Sequence, residues 1–163
     1  MFQGVKGERR NTRLTRLEVD GFKNLLNFKV DFGPFNCIAG ANGVGKSNIF
    51  DVIRFLSLLA DHTLIESALQ IRGTDSETAD LLDIFWGANI VAHHLLKIRI
   101  AAEMIVPREV TDDFGRVVEA TSSYLRYEIE IGYVPPDFRG AFLGRLVLLS
   151  ESLNHIKKEE SAS

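Results

Sequence analysis

Gly40-Ala41-Asn42-Gly43-Val44-Gly45-Lys46-Ser47 is the stretch on which the reading of this chain turns. It fits the pattern G-x-x-x-x-G-K-[ST] at every position. Glycine tolerates backbone angles that other residues resist, so Gly40, Gly43 and Gly45 permit a tight loop. Successive N–H groups in such a loop converge on one point and form a nest for an anion. A helix beginning at the end of the loop adds unpaired amides and a positive dipole end. A plain glycine-rich turn would explain the glycines. It would give no reason for Lys46 and Ser47 together at the helix start.

The flanks fit the motif. Phe35-Asn36-Cys37-Ile38-Ala39 reads as a short apolar strand leading into the loop, and residues 47–59 read as a helix leading out. That helix carries Ile49, Phe50, Val52, Ile53, Phe55, Leu56, Leu58 and Leu59, more than one face can hold, which predicts burial on most sides. Only Asp51 and Arg54 mark a polar face. The loop and its flanks predict binding of a nucleotide triphosphate, ATP with Mg²⁺. Gly40, Ala41, Asn42, Gly43, Val44 and Gly45 would cradle the phosphates. Lys46 would place its charge on the β- and γ-phosphates, the catalytic role. Ser47 would offer a hydroxyl to Mg²⁺, a hard cation that prefers oxygen ligands.

Working outward, residues 12–20 alternate around Leu14, Leu17 and Val19 and read as an edge-type strand, with Gly21-Phe22-Lys23-Asn24 as a turn. Residues 26–32 alternate again, and Gly33-Pro34 ends that strand. Residues 65–71 and 78–85 read as short helices. Residues 95–106, 124–134 and 144–153 read as strands, with a polar stretch at 107–122 that suggests a hairpin tip around Asp113-Phe114-Gly115. The expected architecture is an α/β domain of the P-loop NTPase type with an additional antiparallel β-sheet. Residues 12–153 would form the lobe, 1–11 a disordered N-terminal tail and 154–163 a polar tail.

The bulk numbers limit the alternatives. The chain has 163 residues, 45% hydrophobic and 25% charged, which suits one soluble domain with a core. Its formal net charge of -3 excludes a wholly basic nucleic-acid wrapper. Lys6, Arg9, Arg10, Arg13 and Arg16 make a local basic run, read as a solvated terminus. Cys37, the single cysteine, cannot form an internal disulfide; in its apolar run it reads as a buried, inert thiol in a reducing cytoplasm. No apolar stretch reaches membrane-spanning length, and no signal peptide is apparent.

Other constellations carry less. Asp112-Asp113-Phe114-Gly115 fits D-x-x-G by chance, and no Asn-Lys-x-Asp accompanies it, which argues against a GTPase. His93 and His94 are adjacent and so point to opposite sides of a strand, a poor metal pair. No serine has the context of a hydrolase triad. Glu128 and Glu130 read as a solvated sheet face. Phe22, Phe28, Phe32, Phe35, Phe50, Phe55 and Phe85 read as core rather than as a stacking platform for bases.

The loop with Asn48, and Phe50-Asp51-Val52-Ile53-Arg54 behind it, resembles the N-terminal lobe of ABC-type ATPase heads, the SMC and RecF proteins and similar bacterial AAA family ATPases. Leu17-Glu18-Val19-Asp20-Gly21-Phe22-Lys23-Asn24-Leu25 fits the opening of those families, and Ile71-Arg72-Gly73 with Asp83-Ile84-Phe85-Trp86-Gly87 extends the likeness. The resemblance implies that Asn48, Lys23, Asn24 and Arg72 join the nucleotide contacts. It implies two heads sandwiching ATP, with DNA or an effector such as a nuclease as partner. The chain departs from the family in having no Leu-Ser-Gly-Gly and no apolar run ending in Asp-Glu. Leu146-Val147-Leu148-Leu149-Ser150-Glu151 puts Ser at the expected Asp, and reads as a sheet strand. Hydrolysis is therefore expected only with a missing C-terminal half or a second head. The alternatives are a nucleotide-binding interaction module that does not hydrolyse, and a truncated remnant.

Overall fold

A computed structural model describes residues 12–41, 45–71, 81–87, 96–111, 114–119, 122–135 and 144–156. The expected N-terminal tail, Asn42, Gly43, Val44, Arg72, His93, His94, Asp112 and Asp113 lie outside the described residues.

The chain is a mixed α/β structure on an antiparallel sheet. Its elements run β1 (Arg13–Asp20), β2 (Phe28–Asp31), α1 (Lys46–Leu58), α2 (Leu64–Gln70), a 3-10 turn (Leu81–Ile84), β3 (Leu96–Ile105), β4 (Glu109–Thr111), β5 (Val117–Glu119), β6 (Tyr124–Val134) and β7 (Arg145–His155). Five strands make one sheet in the order β2-β1-β3-β6-β7, and β4 with β5 forms a separate hairpin at the expected polar tip. The front and back strands therefore share one sheet; they do not divide into a nucleotide-binding sheet and an additional one. All pairings are antiparallel.

Strand alternation sorts the two faces. Leu17 pairs with Ala102 and Val19 with Ile100 across β1 and β3. Ile98 pairs with Ile131 and Ile100 with Ile129 across β3 and β6. All are buried and join Ile49, Val52 and Phe55 of α1, Ala68 of α2, and Phe22, Ile84 and Phe85 in one core. The spacing of three along α1 sets those residues on a single stripe. The opposite face carries an ion-pair ladder. The Arg126 guanidinium donates to Glu103 at 2.9 Å and to Glu18 at 3.1 Å, and Arg16 reaches Glu18 at 2.8 Å. Lys97 pairs with Glu130 and Arg99 with Glu128. Hydrogen bonds from Arg126 first, then Arg16, hold the Glu18 carboxyl down at about 2.

Six expectations are corrected. β1 is interior, between β2 and β3, because β3 returns to pair along it from residue 13 to residue 20. Residues 35–39 form no strand. Among the described residues no strand pairs with this run, although Ile38 packs partly against the core. Phe35 is 87% exposed and Cys37 is exposed, not a buried thiol. α1 is covered on one stripe only, and Phe50 stands 60% exposed. Of the seven phenylalanines expected in the core, Phe22, Phe55 and Phe85 are buried, Phe28 and Phe32 pack partly against it, and Phe35 and Phe50 do not belong to it. β7 also extends to His155, so Asn154 and His155 are strand residues rather than tail.

Candidate functional site

The site forms where the loop runs into α1. Gly45 is the residue before the helix and has φ +94°, a left-handed conformation that favours glycine. No side chain caps the helix here, and its first turn holds no acidic residue. The opening amides of α1 therefore lack the side-chain acceptor that usually occupies them, and the positive end of the helix is uncompensated. Lys46 turns its ammonium back across the loop. Nζ donates to the Gly40 carbonyl at 2.6 Å and to the Ala41 carbonyl at 2.5 Å. The start and end of the loop are thereby drawn together by one cation. Ser47, next along, is exposed.

The turn after β1 braces this corner. Asn48 Nδ2 donates to Asn24 Oδ1 at 2.7 Å, and Lys23 Nζ pairs with Asp51 at 2.7 Å. The spacing of three places Asn48 and Asp51 on one side of α1, so two consecutive turn residues grip consecutive turns of the helix. Asn24 also lies directly beneath Gly45. A Cβ at Gly45 would come within 2.5 Å of the Asn24 Oδ1. Lys23 itself has φ +49°, a strain that its surroundings must hold.

The brace is anchored in turn. The Lys23 amide donates to the Ile84 carbonyl at 2.8 Å, and the Trp86 amide to the Gly21 carbonyl at 2.9 Å. Gly21 has φ +81°, and a Cβ there would run into the Lys97 carbonyl. Phe22 is fully buried against Phe55 of α1, ring centres 6.0 Å apart. The 3-10 turn, the β1–β2 turn and the start of α1 are thus one connected unit.

Of the expected residues, Asn42, Gly43, Val44 and Arg72 lie outside the described residues. Gly40, Ala41, Gly45, Lys46 and Ser47 come together at the mouth of α1. Lys23, Asn24 and Asn48 lie beside them, engaged with α1 or with each other. From the sequence, Asp51 reads only as part of the polar face of the helix. It is the one acid on α1, and opposite a lysine already expected at this corner it was the natural partner to look for. Among the described residues no group of three or more His, Cys, Asp or Glu could hold a metal ion. A separate cleft of about 170 Å³, lined by Leu59, His62, Leu64, Tyr127, Ile129, Leu148 and Glu151, contains no loop residue.

Comparison with known proteins adds the following. Residues 16–61 match a family described as an AAA domain. The chain is similar to the DNA replication and repair protein RecF of Parabacteroides distasonis, 44% identical over 50 residues, covering 30% of this chain and 14% of that protein. RecF of Lactococcus lactis is 35% identical over 66 residues, 40% of this chain and 18% of that protein. RecF of Lactobacillus acidophilus is 38% identical over 69 residues, 42% of this chain and 18% of that protein. The chain thus matches less than a fifth of the length of these relatives. No solved structure matches. Among the described residues no helix is long and apolar enough to cross a membrane.

Proposed function

We propose, from the premise that residues 16–61 belong to an SMC/RecF-like AAA ATPase N-terminal region, that this chain binds Mg-ATP through residues 40–47 in a P-loop NTPase arrangement. The observation that carries the reading is the uncapped start of α1, with Gly45 left-handed before it and the Lys46 ammonium held over the loop at 2.6 Å from the Gly40 carbonyl. A triphosphate supplies what this corner lacks: negative charge and acceptor oxygens for the helix amides. Lys46 would exchange its two carbonyl acceptors for the β- and γ-phosphate oxygens. That exchange trades neutral for charge-assisted hydrogen bonds, which are roughly twice as strong. Ser47 would hold Mg²⁺ together with phosphate oxygens and water.

Lys23, Asn24 and Asn48 act in this reading from beside the nucleotide, fixing the turn of backbone that the phosphates meet, and Arg72 is a further nucleotide contact. Hydrolysis is assigned to the assembly completed by an ABC-type C-terminal half or a second head, with ATP between the two. The run at 35–39 supports completion from outside, since it forms no strand among the described residues and leaves Phe35 and Cys37 exposed beside the loop. The names of the relatives point to DNA as a partner; an effector such as a nuclease and a cytoplasmic setting belong to this reading through the resemblance to SMC and RecF proteins alone. A second reading is a nucleotide-binding module without turnover. It is favoured by Ser150, which stands where the Asp of an Asp-Glu run would be, on β7 three strands from β1.

Titration calorimetry with Mg-ATP, followed by a phosphate-release assay, tests both readings. Binding that Lys46→Ala weakens at least tenfold supports the site. No binding by the folded chain overturns it. Steady turnover by the 163-residue chain alone, abolished in Lys46→Ala, overturns the assignment of hydrolysis to a larger assembly.

A further inference from the structure

The two edges of the sheet are unlike. β2 is 4 residues long and carries Lys29 and Asp31, a short charged edge of the kind that resists pairing with another chain. β7 is 11 residues long, and Leu148, Leu149 and Leu153 on it are 52%, 41% and 62% exposed. One of its long sides pairs with β6, and the other has no partner strand among the described residues.

The backbone phase of that edge can be read. The Ile156 amide donates to the Tyr124 carbonyl at 3.0 Å, so residue 156 points its backbone groups toward β6. Alternation along an antiparallel strand then turns Asn154 and Ser152 toward β6, and His155, Leu153 and Glu151 outward. A register shift sets Ser150 opposite Glu130 but Leu148 opposite Ile131, leaving Leu149 as the extra residue. This bulge ends the regular edge on the N-terminal side at Ser150.

We propose that this edge pairs with the same edge of a second copy of the chain, antiparallel about Leu153. In that register Leu153 faces Leu153, Glu151 faces His155 twice, and Ser152 faces Asn154 twice. Glu151, Leu153 and His155 all point their backbone groups outward, so the three facing pairs 151–155, 153–153 and 155–151 are hydrogen-bonded pairs, each exchanging two bonds. The side chains of these three residues share the sheet face that carries Tyr127 and Ile129, their partners on β6. Glu151 is already oriented there by the Tyr127 hydroxyl, which donates to it at 2.7 Å. Its second oxygen is left for a partner's imidazole. Neighbouring registers are worse. Centring on Glu151 opposes two carboxylates, which destabilises a cross-strand pair. Centring on Ser152 runs His155 into the bulge at Leu149. The pairing would join two sheets into one of ten strands, and the short overlap fits a weak, concentration-dependent dimer. It lies three strands from β1 and does not depend on nucleotide.

The test is sedimentation of the full chain over a range of concentrations, with two variants. Leu153→Pro removes an amide that points outward, so the β6–β7 ladder keeps its bonds while the edge loses a donor. The expected result is reversible dimerisation in the wild type and at least a tenfold weaker association in Leu153→Pro at unchanged melting temperature. In a Cys37→Ser background, Leu153→Cys should cross-link to itself, because facing hydrogen-bonded residues have Cα atoms about 5.5 Å apart, within disulfide reach. Asn154→Cys should not, since it faces Ser152. A wild type that stays monomeric at every concentration overturns the proposal. Equal cross-linking at 153 and 154, or a dimer untouched by Leu153→Pro, overturns the edge and its register.

Discussion

The two sides of the loop that leads into α1 are built in opposite ways. On one side, residues 21–25 are tied to α1 through Asn24 and Lys23 and to the 3-10 turn through the Gly21 carbonyl and the Lys23 amide, over a buried Phe22. On the other, residues 33–41 approach the loop without strand partners, and Phe35 is 87% exposed. Each stretch carries apolar side chains, Phe22 and Leu25 in the first and Phe35 and Ile38 in the second. The difference is whether a neighbour exists. The turn meets α1 and residues 84–86 of its own chain, whereas the approach has no strand beside it among the described residues. The contrast teaches that contacts within the described residues brace the start of α1 from the β1–β2 turn and give the approach no comparable strand partner.

The largest expected effect is a difference between two phenylalanines. Phe55→Ala removes a fully buried ring from the core under the turn and should cost about 3–5 kcal/mol. Phe35→Ala, on the open side, should change stability by no more than about 0.5 kcal/mol. Urea denaturation of both variants checks this, and equal losses would erase the comparison. Gly21→Ala should cost about 1–3 kcal/mol in the same assay, because it forces a left-handed φ of +81° on alanine and drives a methyl into the Lys97 carbonyl.

Asn24→Ala sharpens the comparison at the level of binding. Loss of the bond to Asn48 should loosen the start of α1 and weaken Mg-ATP binding roughly tenfold, about 1.4 kcal/mol, with less effect on the melting temperature than Gly21→Ala. Asn48→Ala should match it, and the double variant should be no worse than either, as befits one shared interaction. The smallest effect lies away from both sides of the loop. The Glu18 carboxyl is held at about 2 in the folded chain against an ordinary 4.5. Its folded value is depressed, so its contribution is present above pH 4.5 and is lost as pH falls toward 2. Melting temperature measured across that window should fall less steeply in Glu18→Gln than in the wild type.

The sequence made much of this legible because strand alternation and loop chemistry are local. Leu125, Tyr127, Ile129 and Ile131 alternating with Arg126, Glu128 and Glu130 marked β6, and the glycine-lysine-serine pattern marked the start of α1 within one residue. What failed was non-local. Phe35–Ala39 has the composition of a buried strand, but composition does not say whether an adjacent strand exists. The interior position of β1 depends on β3, some eighty residues later, folding back along it. Phe50 looked like core because α1 holds more apolar residues than its one covered stripe can take. The Lys23–Asp51 pair was hidden by a separation of 28 residues, although both groups were in plain view.

The central claim is that an uncapped helix start and one lysine make a phosphate site. Calorimetric titration of Mg-ATP into the wild type and into Lys46→Ala tests it most directly, with melting temperatures showing that both are folded. The account predicts saturable one-to-one binding by the wild type and loss of at least tenfold in affinity in the variant. Equal affinity in the two proteins, or no binding by a folded wild type, would contradict it.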